Sequence, residues 1–103
     1  MEKVYENALA IALQDMRLKV QQQAKIEVYF QEQVVGEYFA DLLVEDGVIV
    51  EIKAASQLVR EHEAQLLNYL HATPIEVGLL LNFGPKPDFL RRIFDNDRKS
   101  ISW

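Results

Sequence analysis

Asp41 stands inside the apolar run Tyr38-Phe-Ala-Asp-Leu-Leu-Val44, and Glu51 and Lys53 flank Ile52 in Val48-Ile-Val-Glu-Ile-Lys-Ala54. A carboxylate in the centre of a buried strand is costly unless it is paired or holds a metal. Strand residues two apart share a face, so Glu51 and Lys53 point the same way. Whether Asp41 joins them depends on the turn at Glu45-Asp46-Gly47. A two-residue turn at Asp46-Gly47 sets Asp41 against Ile52 and sends it to the wrong side of the sheet. A three-residue loop with Gly47 left-handed sets Val44 against Val48, and Asp41 then lies opposite Glu51. Glycine at the third position is what that loop requires. We adopt it, and the product is an Asp–Glu–Lys cluster on one face.

Two adjacent carboxylates repel, and a single lysine offsets this only in part. A hard divalent cation resolves the conflict, since Mg²⁺ takes one or two carboxylates, a carbonyl and several waters. A neighbouring lysine then orients or deprotonates a water that attacks a phosphodiester. A buried Asp–Lys or Glu–Lys ion pair has the same spacing, so spacing alone does not choose between the two.

The elements that must position these residues follow from periodicity. Val4 to Val20 carries apolar residues at helical spacing (Val4, Tyr5, Ala8, Leu9, Ala12, Leu13, Met16), and Gln21-Gln22-Gln23 reads as a polar connection. Ile26, Val28 and Phe30 alternate as in a strand, and Gln31-Glu32-Gln33 reads as a hairpin turn. Tyr38–Val44 and Val48–Ile52 are apolar on both faces and belong in the middle of a covered sheet. Leu58 to Leu70 is a second helix stopped by Thr73-Pro74, and Ile75 to Phe83 is a buried strand closed by Gly84-Pro85. The tail from Lys86 suits a short helix or an edge strand. The expected order is αβββαβ plus this tail, an α/β fold with a mixed four-stranded sheet flanked by helices.

With 103 residues, half of them hydrophobic and none cysteine, residues 1–103 read as a single domain. The absence of cysteine excludes disulfide scaffolds, thiolate zinc sites and cysteine nucleophiles. No apolar stretch approaches the ~20 residues of a membrane helix. The N-terminus lacks a signal-peptide pattern, so a cytoplasmic location is expected. The formal net charge of −5 argues against a generic nucleic-acid binder. Its distribution softens that objection: residues 1–83 hold six Lys/Arg against thirteen Asp/Glu, whereas residues 84–103 hold five against three. The small basic tail is therefore the expected phosphate contact, and nucleic-acid affinity is expected to be modest.

The pattern Asp41, nine residues, Glu51-Ile-Lys53 resembles the PD-(D/E)XK nuclease superfamily, whose core order is also αβββαβ. Gln65-Leu-Leu-Asn-Tyr69 looks like the QxxxY element of its exonuclease-like branch. More closely, Glu2-Lys-Val-Tyr5-Glu-Asn-Ala-Leu9, Ala40-Asp41-Leu-Leu-Val, Val50-Glu51-Ile-Lys53-Ala, His62-Glu-Ala-Gln65-Leu-Leu-Asn-Tyr69-Leu and Gly78-Leu-Leu-Leu-Asn82-Phe-Gly84 resemble the small bacterial GxxExxR family. The resemblance implies a restriction-endonuclease-like fold and a Mg²⁺- or Mn²⁺-dependent nuclease acting on DNA ahead of RNA. Asp41 and Glu51 would be metal ligands with the Ile52 carbonyl as a third donor, and Lys53 would be the catalytic lysine. Gln65 would touch the substrate or Lys53, with Tyr69 one helical turn on. A first-helix Glu completes many such sites. Glu2 matches the family position, and Glu6 lies one turn on along the same face. Ala40 replaces the proline that names the superfamily. The helix carrying the GxxExxR signature itself is not in the sequence, so the chain resembles a shortened member, and the apolar surface this uncovers makes a homo-oligomer plausible. The competing reading is a catalytically inactive nuclease fold that serves as a binding or dimerisation module.

The remaining polar residues have simpler readings. His62 either contacts phosphate or satisfies a core hydrogen bond, and the pair His62 and His71 does not make a zinc site. Asn82 reads as a turn residue. Trp103 reads as packing on a groove or a partner. Gly47, Gly78 and Gly84 are separate turn or packing positions and not a phosphate loop.

Overall fold

The computed structural model describes residues 1–99, so Ser100, Ser102 and the packing role expected of Trp103 lie outside the described residues. A five-stranded mixed sheet in sequential order carries one helix on each face. Its elements are α1 (Glu2–Asp15), β1 (Val20–Phe30), β2 (Gln33–Val44), β3 (Val48–Lys53), α2 (Arg60–Ala72), β4 (Val77–Asn82) and β5 (Asp88–Ile93), then a 3₁₀ turn at Asn96–Arg98. The αβββαβ order is as expected. The tail supplies a fifth strand antiparallel to β4, so the four-stranded expectation is one strand short. No described helix is long and apolar enough to cross a membrane.

Helix α1 ends five residues earlier than its apolar spacing predicts. Arg17 takes a left-handed φ of 65°. The Leu18 N–H then donates to the Leu13 carbonyl at 3.2 Å, and the Arg17 N–H donates to that of Gln14 at 2.8 Å. This is the Schellman arrangement that usually employs glycine. The freed chain enters β1 at once, and Gln21 and Gln22 pair with Leu43 and Leu42 where a connection was expected. An edge strand with a solvated face tolerates such glutamines.

The β2–β3 register is the one expected from the longer loop, with Val44 opposite Val48, Leu43 opposite Ile49 and Leu42 opposite Val50. Its conformation differs, because Glu45 and Asp46 each adopt φ 54° and no glycine has positive φ. The Gly47 N–H closes the turn on the Val44 carbonyl at 3.0 Å. Thus two acidic residues take the left-handed positions assigned to Gly47, and Gly47 is the extra residue that shifts the register.

Strand β3 lies at the centre, antiparallel to β2 and parallel to β4. Val50 and Ile52 pack with Leu42, Val44 and Ala10 beneath α1, lined by Tyr5, Leu9 and Leu13. Ile49 and Leu80 pack with Leu66, Tyr69 and Leu70 of α2. Contact there is close: a Cβ on Gly78 would fall 2.7 Å from a Leu66 methyl carbon.

Candidate active site

The site forms where β2 and β3 part company. Their last paired level is Leu42 with Val50. Beyond it, carboxylates take over from the ladder. Asp41 Oδ2 accepts the Ile52 N–H at 2.8 Å, and Glu51 Oε2 accepts the Asp41 N–H at 2.7 Å. Each acid thus satisfies a backbone donor at the end of the ladder.

The neighbouring β1–β2 ladder is interrupted at the same level. Pairing passes from Gln22–Leu42 to Ala24–Ala40, omitting Gln23 and Asp41, and Gln23 has φ 51°. On one side of this break Val20 and Leu42 pack beneath α1, and on the other Ile26 and Ala40 pack beneath α2. Even-numbered residues therefore change faces as the strands pass Asp41. A regular strand cannot do this, so Asp41 lies at the point where the two faces of the sheet exchange.

Helix α1 reaches this point. From α1, Glu6 is only 3% exposed. Its Oε2 accepts from Lys3 Nζ at 3.0 Å and Gln22 Nε2 at 2.8 Å, and its Oε1 accepts from Gln23 Nε2 at 2.8 Å. These donors offset its burial. Gln23 Nε2 also lies 3.4 Å from Asp41 Oδ1, linking the two acids. Glu2 sits at the rim, where Oε2 accepts the Ala54 N–H at 3.2 Å. From α2, Gln65 Nε2 donates to the Tyr69 hydroxyl at 3.1 Å.

The three acids act on one another electrostatically. Glu51 is 4% exposed, and its carboxyl is pushed up from 4.5 to about 7. Burial is the main cause, reinforced by the charges of Asp41 and Glu6, while the Asp41 N–H and the Lys53 charge oppose it. Asp41 is raised in the same way: burial acts first, the Ile52 N–H opposes it, and the Glu6 charge adds to it. Burial and then the charges of Glu51 and Asp41 raise the Tyr69 phenol, with the Gln65 hydrogen bond opposing. The α2 element is therefore within electrostatic reach of the acids.

Lys53 holds its place through its backbone. The Phe83 N–H donates to the Lys53 carbonyl at 2.8 Å, on the β4 side. Ile52 is turned the other way, its N–H toward Asp41. Within a strand the N–H and C=O of one residue share a side, so the Ile52 carbonyl also faces the fork. Beyond Lys53, Asn82 locks the following loop. Its Oδ1 accepts from the Ala55 N–H at 2.9 Å and the Gly84 N–H at 3.2 Å, and its Nδ2 donates to the Ala55 carbonyl at 3.0 Å. Asn82 is thus a buried clamp as well as a turn residue. Gly84 has no alternative beside it, because a Cβ there would fall 1.8 Å from the Ala55 oxygen.

His62 caps α2, its Nδ1 accepting the Val59 N–H at 3.2 Å. Part of the basic tail is engaged within the fold. Arg92 pairs with Glu63, and Lys99 Nζ donates to the Thr73 and Ile75 carbonyls at 2.8 Å each. Arg98 and Lys99 also lie over the Phe94 ring. Lys86, Arg91 and Arg98 remain exposed.

Among the described residues, no group of three or more His, Asp or Glu side chains converges as a ready-made metal cage. The donor set that does assemble is Asp41, Glu51 and the Ile52 carbonyl, all hard oxygens at one fork. Two mutually repelling carboxylates and a carbonyl suit a Mg²⁺-type ion that retains much of its water. The chemistry of the donors fits such an ion, and of the first-helix acids Glu6 is the one buried beside them.

Two comparisons with known proteins bear on this geometry. The crystal structure of SSO0001 superposes with a TM-score of 0.72 at 18% identity, covering 90% of this chain and 50% of that one. The chain thus spans half the length of that protein and shares its fold. No curated protein matches the chain. Residues 1–93 match the family model of the PD-(D/E)XK nuclease superfamily. That match takes in the fork, Lys53 and the Gln65–Tyr69 pair, and the chain belongs to the PD-(D/E)XK nuclease superfamily.

Proposed function

We propose that this protein is a Mg²⁺- or Mn²⁺-dependent nuclease of the GxxExxR branch, hydrolysing phosphodiester bonds of DNA. The observation that carries this reading is the fork itself, where Asp41 and Glu51 meet and Lys53 follows on the same strand. Asp41, Glu51 and the Ile52 carbonyl would hold the ion, which when bound supplies Lewis acidity and neutralises charge at the scissile phosphate. Lys53 shares the face of Glu51 and places a cation beside the phosphate, where it orients the attacking water. Glu6 draws Gln23 toward Asp41 and closes the site from the α1 side, and Glu2 holds the Ala54 N–H behind Lys53. Gln65 and Tyr69 contact the bound strand from α2.

The test is cleavage of single-stranded and duplex DNA with Mg²⁺ or Mn²⁺ by wild type, Asp41→Ala and Lys53→Ala. Both variants should lose cleavage, and Lys53→Ala should still bind Mn²⁺ by calorimetry. Wild-type cleavage by Lys53→Ala would overturn the assignment.

One observation favours a second reading, a noncatalytic binding or dimerisation module. Phe30, Val34, Val35 and Phe39 are exposed on the β1–β2 hairpin and offer an apolar surface for a second copy. A silent Mn²⁺ titration together with a dimer in sedimentation would select it.

A further inference from the structure

Beside the fork a groove opens between α2 and the outer half of the β1–β2 hairpin. It offers about 470 Å³, and its walls include Val28, Tyr38, Gln65, Asn68, Tyr69 and His71. The assigned site residues Gln65 and Tyr69 form its inner wall, and the charges of Glu51 and Asp41 reach the Tyr69 phenol. Tyr69 packs in one core with Ala40, next to Asp41, and Ile49, two residues before Glu51, so the groove opens near the acids. Its outer wall is unlike the rest of the site, being one aromatic face with two polar groups near it.

Tyr38 is 51% exposed, and its ring centroid lies 6.1 Å from that of Tyr69 at an angle of 44°. The two rings form an open wedge. Gly36, two residues back, makes room for this orientation: a Cβ there would fall 3.3 Å from the Tyr38 ring, so the ring lies over bare backbone. On α2, the imidazole of His71 is steadied edge-on by Phe94 at 5.3 Å. The side-chain amide of Asn68 makes no hydrogen bond among the described residues and is exposed at the groove.

We propose that this groove takes one unpaired nucleobase of single-stranded DNA beside the scissile phosphate, stacked on Tyr38 with its edge toward Asn68 and His71. The inference rests on the nuclease reading and names its substrate class. A flat heteroaromatic ring with donors and acceptors on its edge is the ligand such walls match. Within a duplex both faces of each base are already stacked, and a groove of this size does not admit a whole double helix. Single strands, overhangs and flaps can present a base to it. Charge points the same way. A chain of net charge −5, with Arg92 and Lys99 of its tail bonded within the fold, has limited electrostatics with which to hold the phosphates of a duplex. Stacking must supply more of the affinity.

Fluorescence anisotropy tests the inference without requiring turnover. The full chain is titrated in EDTA with a labelled 20-mer single strand and with the duplex of the same sequence. Wild type should prefer the single strand. Tyr38→Ala should weaken single-strand binding by roughly tenfold or more, the typical loss for one stacked base, and leave duplex binding unchanged. Tyr38→Trp should retain the preference, and Asn68→Ala should reduce it by a smaller factor. Circular dichroism establishes that each variant is folded. Equal affinity for the two forms, no binding of either, or equal losses on both in Tyr38→Ala would each overturn the inference. Cleavage assays with Mn²⁺ separate it from the nuclease reading. Tyr38-dependent single-strand binding without cleavage leaves the groove standing and removes the nuclease. Cleavage of both forms alike by wild type and Tyr38→Ala does the reverse.

Discussion

Replacing Glu51 by Gln removes a carboxyl that burial has pushed up from 4.5 to about 7. Below pH 4.5 the group is protonated in both the folded and the unfolded chain, and it adds no pH dependence. As pH rises, the unfolded chain ionises first, which favours unfolding. Above pH 7 the group is ionised in both states, and the full difference weighs against the fold. At about 1.36 kcal/mol per unit of pKa, that penalty reaches about 3 kcal/mol by pH 8. Gln is nearly isosteric and keeps an oxygen to accept the Asp41 N–H, so the variant loses the charge and little else. Urea denaturation in EDTA is the assay. Relative to Glu51→Gln, wild type should lose about 2.5 kcal/mol of stability between pH 5 and pH 8, the remainder having been lost below pH 5. Taking the difference between the two proteins cancels contributions from other titrating groups that do not interact with Glu51. Mg²⁺ should act in the opposite sense, stabilising wild type more at pH 8 than at pH 5, because it binds the ionised carboxylates. Parallel stability curves for the two proteins would refute the reasoning and mean that water reaches the carboxyl at the fork.

Glu6→Gln removes one of the like charges acting on Glu51, so the Glu51 midpoint followed by ¹³C NMR should move down; an unchanged midpoint would detach α1 from the site. Gly84→Ala drives a Cβ into the Ala55 carbonyl, where backbone must move, and should cost about 2 kcal/mol or more in denaturation. Leu66→Ala should cost about 2–5 kcal/mol, because the side chain is fully buried. Gly78→Ala should destabilise alone yet cost less in the Leu66→Ala background, since the obstructing methyl carbons are then gone; strict additivity would refute that contact.

Much of the fold was legible because periodicity carries it. The continuous apolar runs of β2 and β3 announced a covered sheet, and the Val44–Val48 register followed from loop length even though the left-handed residues proved to be Glu45 and Asp46. The misreadings at α1 and β1 share one cause. Arg17, Gln23, Gln31, Glu32, Glu45 and Asp46 all adopt positive φ without being glycine. Composition signals such a bend only when glycine, asparagine or aspartate occupies it. Arg17 therefore ended α1 with no visible stop, and Gln21-Gln22-Gln23 read as a connection when it begins β1. At the site, alternation placed Glu51 and Lys53 together, and loop length placed Asp41 opposite them. It could not show that the faces exchange at Asp41, which follows from the interruption at Gln23. Glu6 carried a weaker signal: it is a lone acid between Tyr5, Leu9 and Ala10, the residues that turn toward the sheet.

The charge that first argued against nucleic acid is informative once it is located. Glu6, Asp41 and Glu51 are partly or fully buried at one fork, so part of the negative charge is invested in a site whose own repulsion favours a cation. Of the tail cations, Arg92 pairs with Glu63 and Lys99 bonds the carbonyls that end α2 and lead into β4, while Lys86, Arg91 and Arg98 are exposed. On the proposed reading, what the molecule would offer a polynucleotide is mainly local: the cation the fork would attract, the Lys53 ammonium, and the Tyr38–Tyr69 wedge. Recognition built that way depends on the divalent ion and on exposed bases more than on a long phosphate track. It would hold a strand at the point of cleavage more than along its length, in keeping with a net charge of −5.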